Sequence, residues 1–263
     1  GGDRSSVRPL AAFRGQTLVS CLDDLRTLYR RDFDLPGGES FDTTWITGWA
    51  ASQNFSKREG EVYRSERLAK NAKWSVPLFD TAQPTQSVAG MAIAGNTVFL
   101  AGSQGGLAAV SAEDGRVLSR ADLPPPAWDG MAAASGRLLV TTLEDVVPRL
   151  RVYAPDGGSP GEIAFPVPGK IGWVSGRWGS DEVFFSYESF VVPATVHRHD
   201  LATGRRTEWW RSAAPVASDR FETKQVWFPS RDGTRVPMFL VHRKGLALDG
   251  THPVYLFGYG GST

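Results

Sequence analysis

At 263 residues with 41% apolar side chains, the chain is long enough to bury one large all-β core or two modest ones. Its 29 Lys and Arg nearly cancel its 28 Asp and Glu, which leaves no concentrated basic face for nucleic acid or an anionic membrane. The single cysteine, Cys21, excludes an internal disulfide and a thiolate metal cluster.

The opening stretch "GGDRSSVRPLAAF" holds no apolar run of leader length. No window approaches the roughly 18 apolar residues that a membrane helix needs. The expectation is a soluble chain, with the compartment, cytoplasm or periplasm, left open. Nine Trp and 29 Gly favour sheet layers joined by tight turns over helix bundles. "PLAAFRGQTLVSCLDDLRTLYRRDFDL" reads as two strands around Asp23-Asp24. The next stretch, "NFSKREGEVYRSERLAKNAKW" at 54–74, is the one segment with helix-like charge and Leu/Ala content. Gly60 interrupts it, so it reads as a polar loop or short helix inserted between sheet units.

A repeat follows. "GMAIAGNTVFLAG" begins at Gly90 and "GMAAASGRLLVTT" at Gly130, a spacing of 40 residues within the range of four-stranded propeller blades. Each copy continues into a hairpin. Asp114-Gly115 turns the first copy, and Asp156-Gly157-Gly158 turns the second. Between them, "ADLPPPAWDG" at 121–130 reads as a rigid connector, because proline donates no ladder hydrogen bond. A third copy runs from "DEVFFSYESF" at Asp181 through "TVHRHDLATGRRTEWW", with its turn at Thr203-Gly204. The chain thus reads as four or five blade-like units. Near Phe221 the period is lost, and three β runs follow at Gln225–Phe228, Val236–His242 and Val254–Phe257.

The last of these runs carries a resemblance. "QVWFPSRDGTRVPMFLVHRKGLALDGTHPVYLFGYGG" resembles the start of the catalytic domain of prolyl oligopeptidases, serine peptidases that join a propeller to an α/β-hydrolase domain. "KIGWVSGRWGSDEVFFSYESFVVPATVHRHDLATG" is similar to that family's last blade, and the resemblance runs from about Asp145 to Gly261. Residues 42–143 look more like quinoprotein-like (PQQ-like) propeller repeats. The expected fold is therefore mainly β. It is a partial β-propeller over 1–220 (1–143 PQQ-like, 144–220 prolyl-oligopeptidase-like), followed at 221–263 by the first strands of an α/β-hydrolase domain.

The resemblance implies cleavage of short proline-containing peptides, with the propeller as a substrate filter and with no cofactor and no metal. One site residue carries over: Tyr259 in "GYGG" matches the family's tyrosine donor to the tetrahedral oxyanion. The family's nucleophile, acid and base all lie after this turn. The only G-x-S-x-G spacing, Gly157 to Gly161, falls at the Asp156-Gly157-Gly158 turn between β runs and not on a strand-to-helix elbow, so the chain is expected to be inactive alone. Ser103 in "AGSQGG" and Ser175 in "VSGRWGS" read as turn formers.

His197 and His199 alternate on one strand and face one side. Without a third ligand they read as surface or groove positions. His242 and His252 have no partner that the sequence names. Asp232-Gly233 and Asp249-Gly250 read as turns, and Arg205-Arg206 as a solvated turn. Trp173, Trp178, Trp209 and Trp210 read as packing between blades or, less simply, as the lining of a pocket or tunnel.

The expected partner is a short peptide in a full-length enzyme, with no nucleic acid and no membrane, and self-association through open sheet edges. Two other functions fit the same residues: a stand-alone propeller used as a binding or scaffold module, and a quinoprotein-like dehydrogenase fragment.

Overall fold

The computed structural model describes residues 10–14, 17–21, 26–32, 72–79, 86–158, 161–215 and 217–258. Apart from one 3-10 turn at Ser218–Arg220, its regular structure is antiparallel β. Four sheets of four strands follow one another along the chain, and a two-stranded hairpin comes last.

The first blade contains β1 (Leu10–Arg14), β2 (Thr17–Cys21), β3 (Thr27–Asp32) and β4 (Trp74–Pro77). The second contains β5 (Val88–Ala94), β6 (Thr97–Gly102), β7 (Leu107–Ser111) and β8 (Val117–Ala121). The third contains β9 (Pro126–Ala134), β10 (Arg137–Glu144), β11 (Val147–Tyr153) and β12 (Gly161–Ile163). The fourth contains β13 (Lys170–Gly176), β14 (Glu182–Glu188), β15 (Thr195–Asp200) and β16 (Arg206–Arg211). The hairpin pairs β17 (Phe221–Pro229) with β18 (Arg235–Arg243).

The first strands hold the arc together: β1 packs on β5, β5 on β9 and β9 on β13. This is the stacking of propeller blades around a common axis. The Gly-Met-Ala repeat marks these inner strands, and its glycine answers to a close approach. A Cβ at Gly90 would lie 3.0 Å from the Cβ of Met131 on the next blade, so any larger side chain would have to push that blade away.

Between the blades, side-chain alternation serves two interfaces at once. On β10, Leu138 and Val140 join Phe99, Ala101 and Leu107 of the second blade, whereas Leu139 joins Val183 and Phe185 of the fourth. A strand covered on both faces carries a continuous apolar run, which is why "LLV" shows no polar alternation. Successive cores form in this way between blades one and two, two and three, and three and four.

Polar links bridge the same seams. Arg30 of the first blade donates to the carbonyl of Ala112 at 2.6 Å, and Trp74 Nε1 donates to that of Glu113 at 3.0 Å. Ser135 Oγ donates to the Asp181 carboxylate, joining a turn of the third blade to the fourth. The Asp114-Gly115 turn sits against the first blade: Gly115 has φ +77°, and a Cβ there would lie 2.9 Å from the Trp74 ring. Both the backbone sign and the space demand glycine.

The structure corrects several sequence expectations. The 9–35 segment supplies three strands rather than two, and its last strand pairs with Trp74–Pro77, remote in sequence. Residues 54–71 of the helix-like stretch lie outside the described residues, but Trp74 at its end opens β4. The proline connector is shorter than read, because Pro126 begins β9; as the first residue of an edge strand it forfeits no central ladder bond. Val254–Phe257 forms no strand: among the described residues no neighbouring strand takes its backbone, and its side chains stand in solvent.

Candidate functional site

Antiparallel meanders place the β10–β11 and β14–β15 turns at the same end of the arc as the connectors entering each first strand. The hairpin attaches at that end. Gln225 Nε2 donates to the carbonyl of Asp145 at 2.6 Å, and Phe239 lies with its ring centroid 5.9 Å from that of Phe190. Asp145 and Val146 both have left-handed φ (51° and 62°), the geometry of a tight two-residue hairpin turn, and this presents the Asp145 carbonyl outward.

Within the hairpin, Arg235 lies over the Trp227 ring at 4.9 Å. Glu222 pairs with Lys224 at 3.3 Å and with His242 Nδ1 at 3.5 Å. His242 Nδ1 also lies 2.9 Å from the carbonyl oxygen of Arg243. Both neighbours of that nitrogen are acceptors, so Nδ1 carries the proton. His242 thus has a carboxylate partner, but no hydroxyl nucleophile stands beside it among the described residues.

Beyond the hairpin the chain turns at Asp249, whose carboxylate accepts from the amide and hydroxyl of Thr251 at 3.0 and 2.7 Å. Those bonds hold the Asp249 carboxyl below its ordinary value. Asp232 accepts from the Thr234 amide at 3.0 Å, and this backbone bond is the main cause of its lowered pKa. Both aspartates act as turn caps, as the sequence suggests. His252 is exposed. Tyr259 lies just outside the described residues.

At the same end, a cleft of about 380 Å³ opens between the first and second blades, lined by Leu78, Gln86, Gly102, Gly105, Arg120 and Asp122. Its polar side chains are spent on the fold. Gln86 Nε2 donates to the carbonyl of Gly105 at 2.9 Å, Gln86 Oε1 accepts from the Gln104 amide at 3.0 Å, and Arg120 donates to the carbonyl of Leu78 at 3.1 Å.

The two serines are brought to no base. Ser103 Oγ accepts from the Ser87 amide at 3.1 Å, and the Ser103 amide donates to Ser87 O at 2.7 Å, so its hydroxyl locks the β6–β7 turn. Ser175 lies within strand β13 rather than in a turn, exposed and opposite Phe184. No imidazole or carboxylate contacts either hydroxyl among the described residues.

His197 and His199 do share a face, opposite Phe185 and Val183 on β14, but that face is the buried one. His199 is 8% exposed, and the His197 ring sits 5.4 Å from Phe185. Burial, reinforced by the nearby Arg206 cation, pushes both imidazoles below their ordinary pKa. They are interface residues rather than surface ones, because β13–β16 lays this side on the third blade. No group of three metal-ligating side chains occurs among the described residues.

Arg206 is likewise no solvated turn. Its guanidinium lies over Phe165 at 5.1 Å and Phe185 at 5.4 Å and donates to the carbonyl of Ala164 at 2.8 Å. Sequence reasoning missed it, since an Arg-Arg pair after Thr-Gly looks like any exposed turn. The alternation that places Arg206 opposite His199 was the available signal.

Among the tryptophans, Trp178 packs on Phe99 of the second blade, ring centroids 6.0 Å apart. Trp173, Trp209 and Trp210 instead stand exposed on the fourth blade, with Trp209 edge-on to Phe184 at 5.6 Å.

Residues 126–212 match a family model described as prolyl oligopeptidase, N-terminal beta-propeller domain. The chain is 26% identical over 129 residues to a prolyl endopeptidase of Elizabethkingia miricola, covering 49% of this chain and 18% of that protein. It is 34% identical over 132 residues to prolyl oligopeptidase ophP of Omphalotus olearius, covering 49% and 18%. Its fold is similar to a solved prolyl endopeptidase (TM-score 0.60, 17% identity, 91% of this chain and 31% of that one). It is also similar to prolyl oligopeptidase B of Galerina marginata (TM-score 0.58, 17% identity, 95% and 33%). The matched region thus spans less than a fifth of the length of these curated relatives.

Proposed function

We propose that the chain is the propeller-side part of a serine peptidase of the prolyl oligopeptidase family acting on short proline-containing peptides, a reading supported by the match of residues 126–212 to that family's N-terminal propeller. In this reading the blades restrict which peptides reach the chemistry. The hairpin at Phe221–Arg243 is the start of an α/β-hydrolase half. Tyr259 is the donor to the oxyanion that forms when the scissile carbonyl is attacked.

The observation that carries the reading is sequential. The family's propeller match ends at Ser212, and a separate hairpin begins at Phe221, attached to one end of the blades by Gln225 and Phe239. A stand-alone scaffold gives no account of that hairpin. The chemistry assigned to Tyr259 is sound in principle: a phenol O–H aimed at a developing oxyanion is worth about two to three orders of magnitude in kcat.

In this reading nucleophile, acid and base belong to the hydrolase half and not to the blades, so the blades by themselves are expected to carry no activity. The test is hydrolysis of a chromogenic proline-containing peptide by the purified chain. No turnover is expected. Turnover abolished by Ser103→Ala or Ser175→Ala would show a nucleophile within the blades and end the proposal. In an enzyme that joins this chain to a hydrolase half, Tyr259→Phe lowers kcat with little change in KM, whereas an unchanged kcat removes the oxyanion role.

A further inference from the structure

The seam between the third and fourth blades differs from the other two in holding imidazoles. The buried clusters of the first two seams mix aliphatic side chains with Trp74 and Phe79 or with Phe99, Tyr153 and Trp178, and hold no imidazole. At the third seam the fourth blade brings two imidazoles and a guanidinium into the interface.

The connector between the blades, residues 164–169, crosses this seam and is fastened by Arg206, Phe185 and Tyr187. The Phe165 ring stacks on Tyr187 (centroids 4.5 Å, planes 15° apart) and stands edge-on to Phe185 at 5.5 Å. Tyr187 donates its hydroxyl to the carbonyl of Val167 at 2.5 Å. Arg206 covers Phe165 and Phe185 and donates to Ala164 O. His197 lies beside Phe185 and Tyr187, at centroid distances of 5.4 and 6.5 Å, and His199 lies 6.4 Å from Phe185.

The Nδ1 atoms of both histidines are buried without a hydrogen-bond partner among the described residues. An imidazolium needs acceptors at both nitrogens, so a proton added here has nowhere to share its charge. The charged groups facing the pair are mixed. From β16, Arg206 and Arg211 oppose a positive charge on His197 and Glu208 favours it; near His199, Arg206 opposes and Asp200 favours. Tyr187 of β14 faces His197, the strap's Phe165 stacks on Tyr187, and neither brings a carboxylate. Arg206 has no carboxylate within ion-pair distance among the described residues, and its charge acts on both rings.

We propose that this seam is a proton-operated joint: His197 and His199 are its sensors, and the 164–169 strap, with the fourth blade behind it, is the part released when they become charged. Neutral imidazoles pack as aromatic rings and leave Arg206 free to clasp the strap. Charged ones repel Arg206 and draw water into the seam. The joint then loosens in mild acid while the two seams without imidazoles hold. The device gives the arc a pH-dependent opening beside the connector of its last blade. It does not depend on the peptidase reading.

The test is native-state hydrogen exchange on the full chain between pH 7.5 and 5.0, corrected for the intrinsic pH dependence of exchange. Amides of β12 to β16 and of the strap are expected to lose protection as pH falls below about 6.5, by up to about tenfold per pH unit for each histidine. Amides of β5 to β7 are expected to keep theirs. In His197→Phe/His199→Phe the local pH dependence disappears while the fold is retained.

Should that variant fail to fold, the imidazole C2-H resonances of the native chain decide. Both histidines are expected to titrate below the ordinary value and in step with the loss of strap protection. Titration at the ordinary value with an undisturbed strap, or the same pH dependence in the double variant, overturns the proposal.

Discussion

The runs Leu138-Leu139-Val140 of β10 and Met238-Phe239-Leu240-Val241 of β18 look alike in sequence, yet they end in opposite surroundings. The first is fully buried, because a blade lies on each side of it. The second is only half-buried, with Val241 44% exposed, because the hairpin meets the blades only through small contacts such as Gln225 to Asp145 and Phe239 to Phe190. The tail beyond is more exposed still, Tyr255 at 88%. Apolar β sequence therefore reports the capacity to be buried; the partner that buries it is supplied by topology. In the blades the neighbour is the next repeat. The hairpin has no such neighbour on both faces among the described residues.

Truncation should separate the two regions most sharply. Phe185→Ala and Leu139→Ala are expected to cost about 3 to 5 kcal/mol each in urea unfolding, since each empties a seam. Leu256→Ala and Tyr255→Ser are expected to stay within about 0.5 kcal/mol. Equal losses in the two pairs would erase the distinction. Filling the tight contact at Gly90 comes next. Gly90→Val drives branches against Met131 and is expected to cost about 1 to 3 kcal/mol, whereas Gly245→Ala, at a hairpin-side turn with open space, is penalised only for its positive φ.

Acid sharpens the same contrast. The folded pKa of His197 and His199 is depressed, so the unfolded chain takes up protons first. Their contribution to stability is whole above about pH 6.5 and is lost as pH falls from there through the folded values. Asp114, Asp200, Asp232 and Asp249 are also depressed, by turn hydrogen bonds, and their contribution is lost only below the ordinary carboxylate value, near pH 4. Blade unfolding followed by tyrosine and tryptophan fluorescence should therefore weaken in two steps, and the double histidine variant should lack the upper one. The smallest effect belongs to surface ion pairs. Breaking Arg198 to Glu182, both half-exposed, is expected to change stability by less than about 1 kcal/mol.

The sequence was most legible where a local rule and the long-range packing agreed. The repeated Gly-Met-Ala entry marks β5 and β9, because the inner strands demand small residues at a fixed period. Asp114-Gly115, Asp156-Gly157 and Thr203-Gly204 all prove to be turns with a left-handed glycine, a backbone preference that is written locally. Long-range choices were hidden. Nothing local says that Thr27–Asp32 pairs with Trp74–Pro77, that His197 and His199 point into a seam, or that Arg206 clasps a connector. Each depends on which face a neighbouring blade covers. Of the candidate site, the turn-capping aspartates were readable, whereas the attachment of Gln225 to Asp145 was not.

The blades stand as a folded body to which the hairpin and tail are appended, and a single comparison of melting temperatures tests this most directly: the full chain against a chain ending at Arg220. At this size about 1 kcal/mol moves the midpoint by roughly 2 to 4 °C, and loss of the Gln225 and Phe239 contacts is expected to shift it by no more than about 4 °C. A fall of more than about 10 °C would show that the hairpin and tail are part of the blades' own core, and would contradict the account.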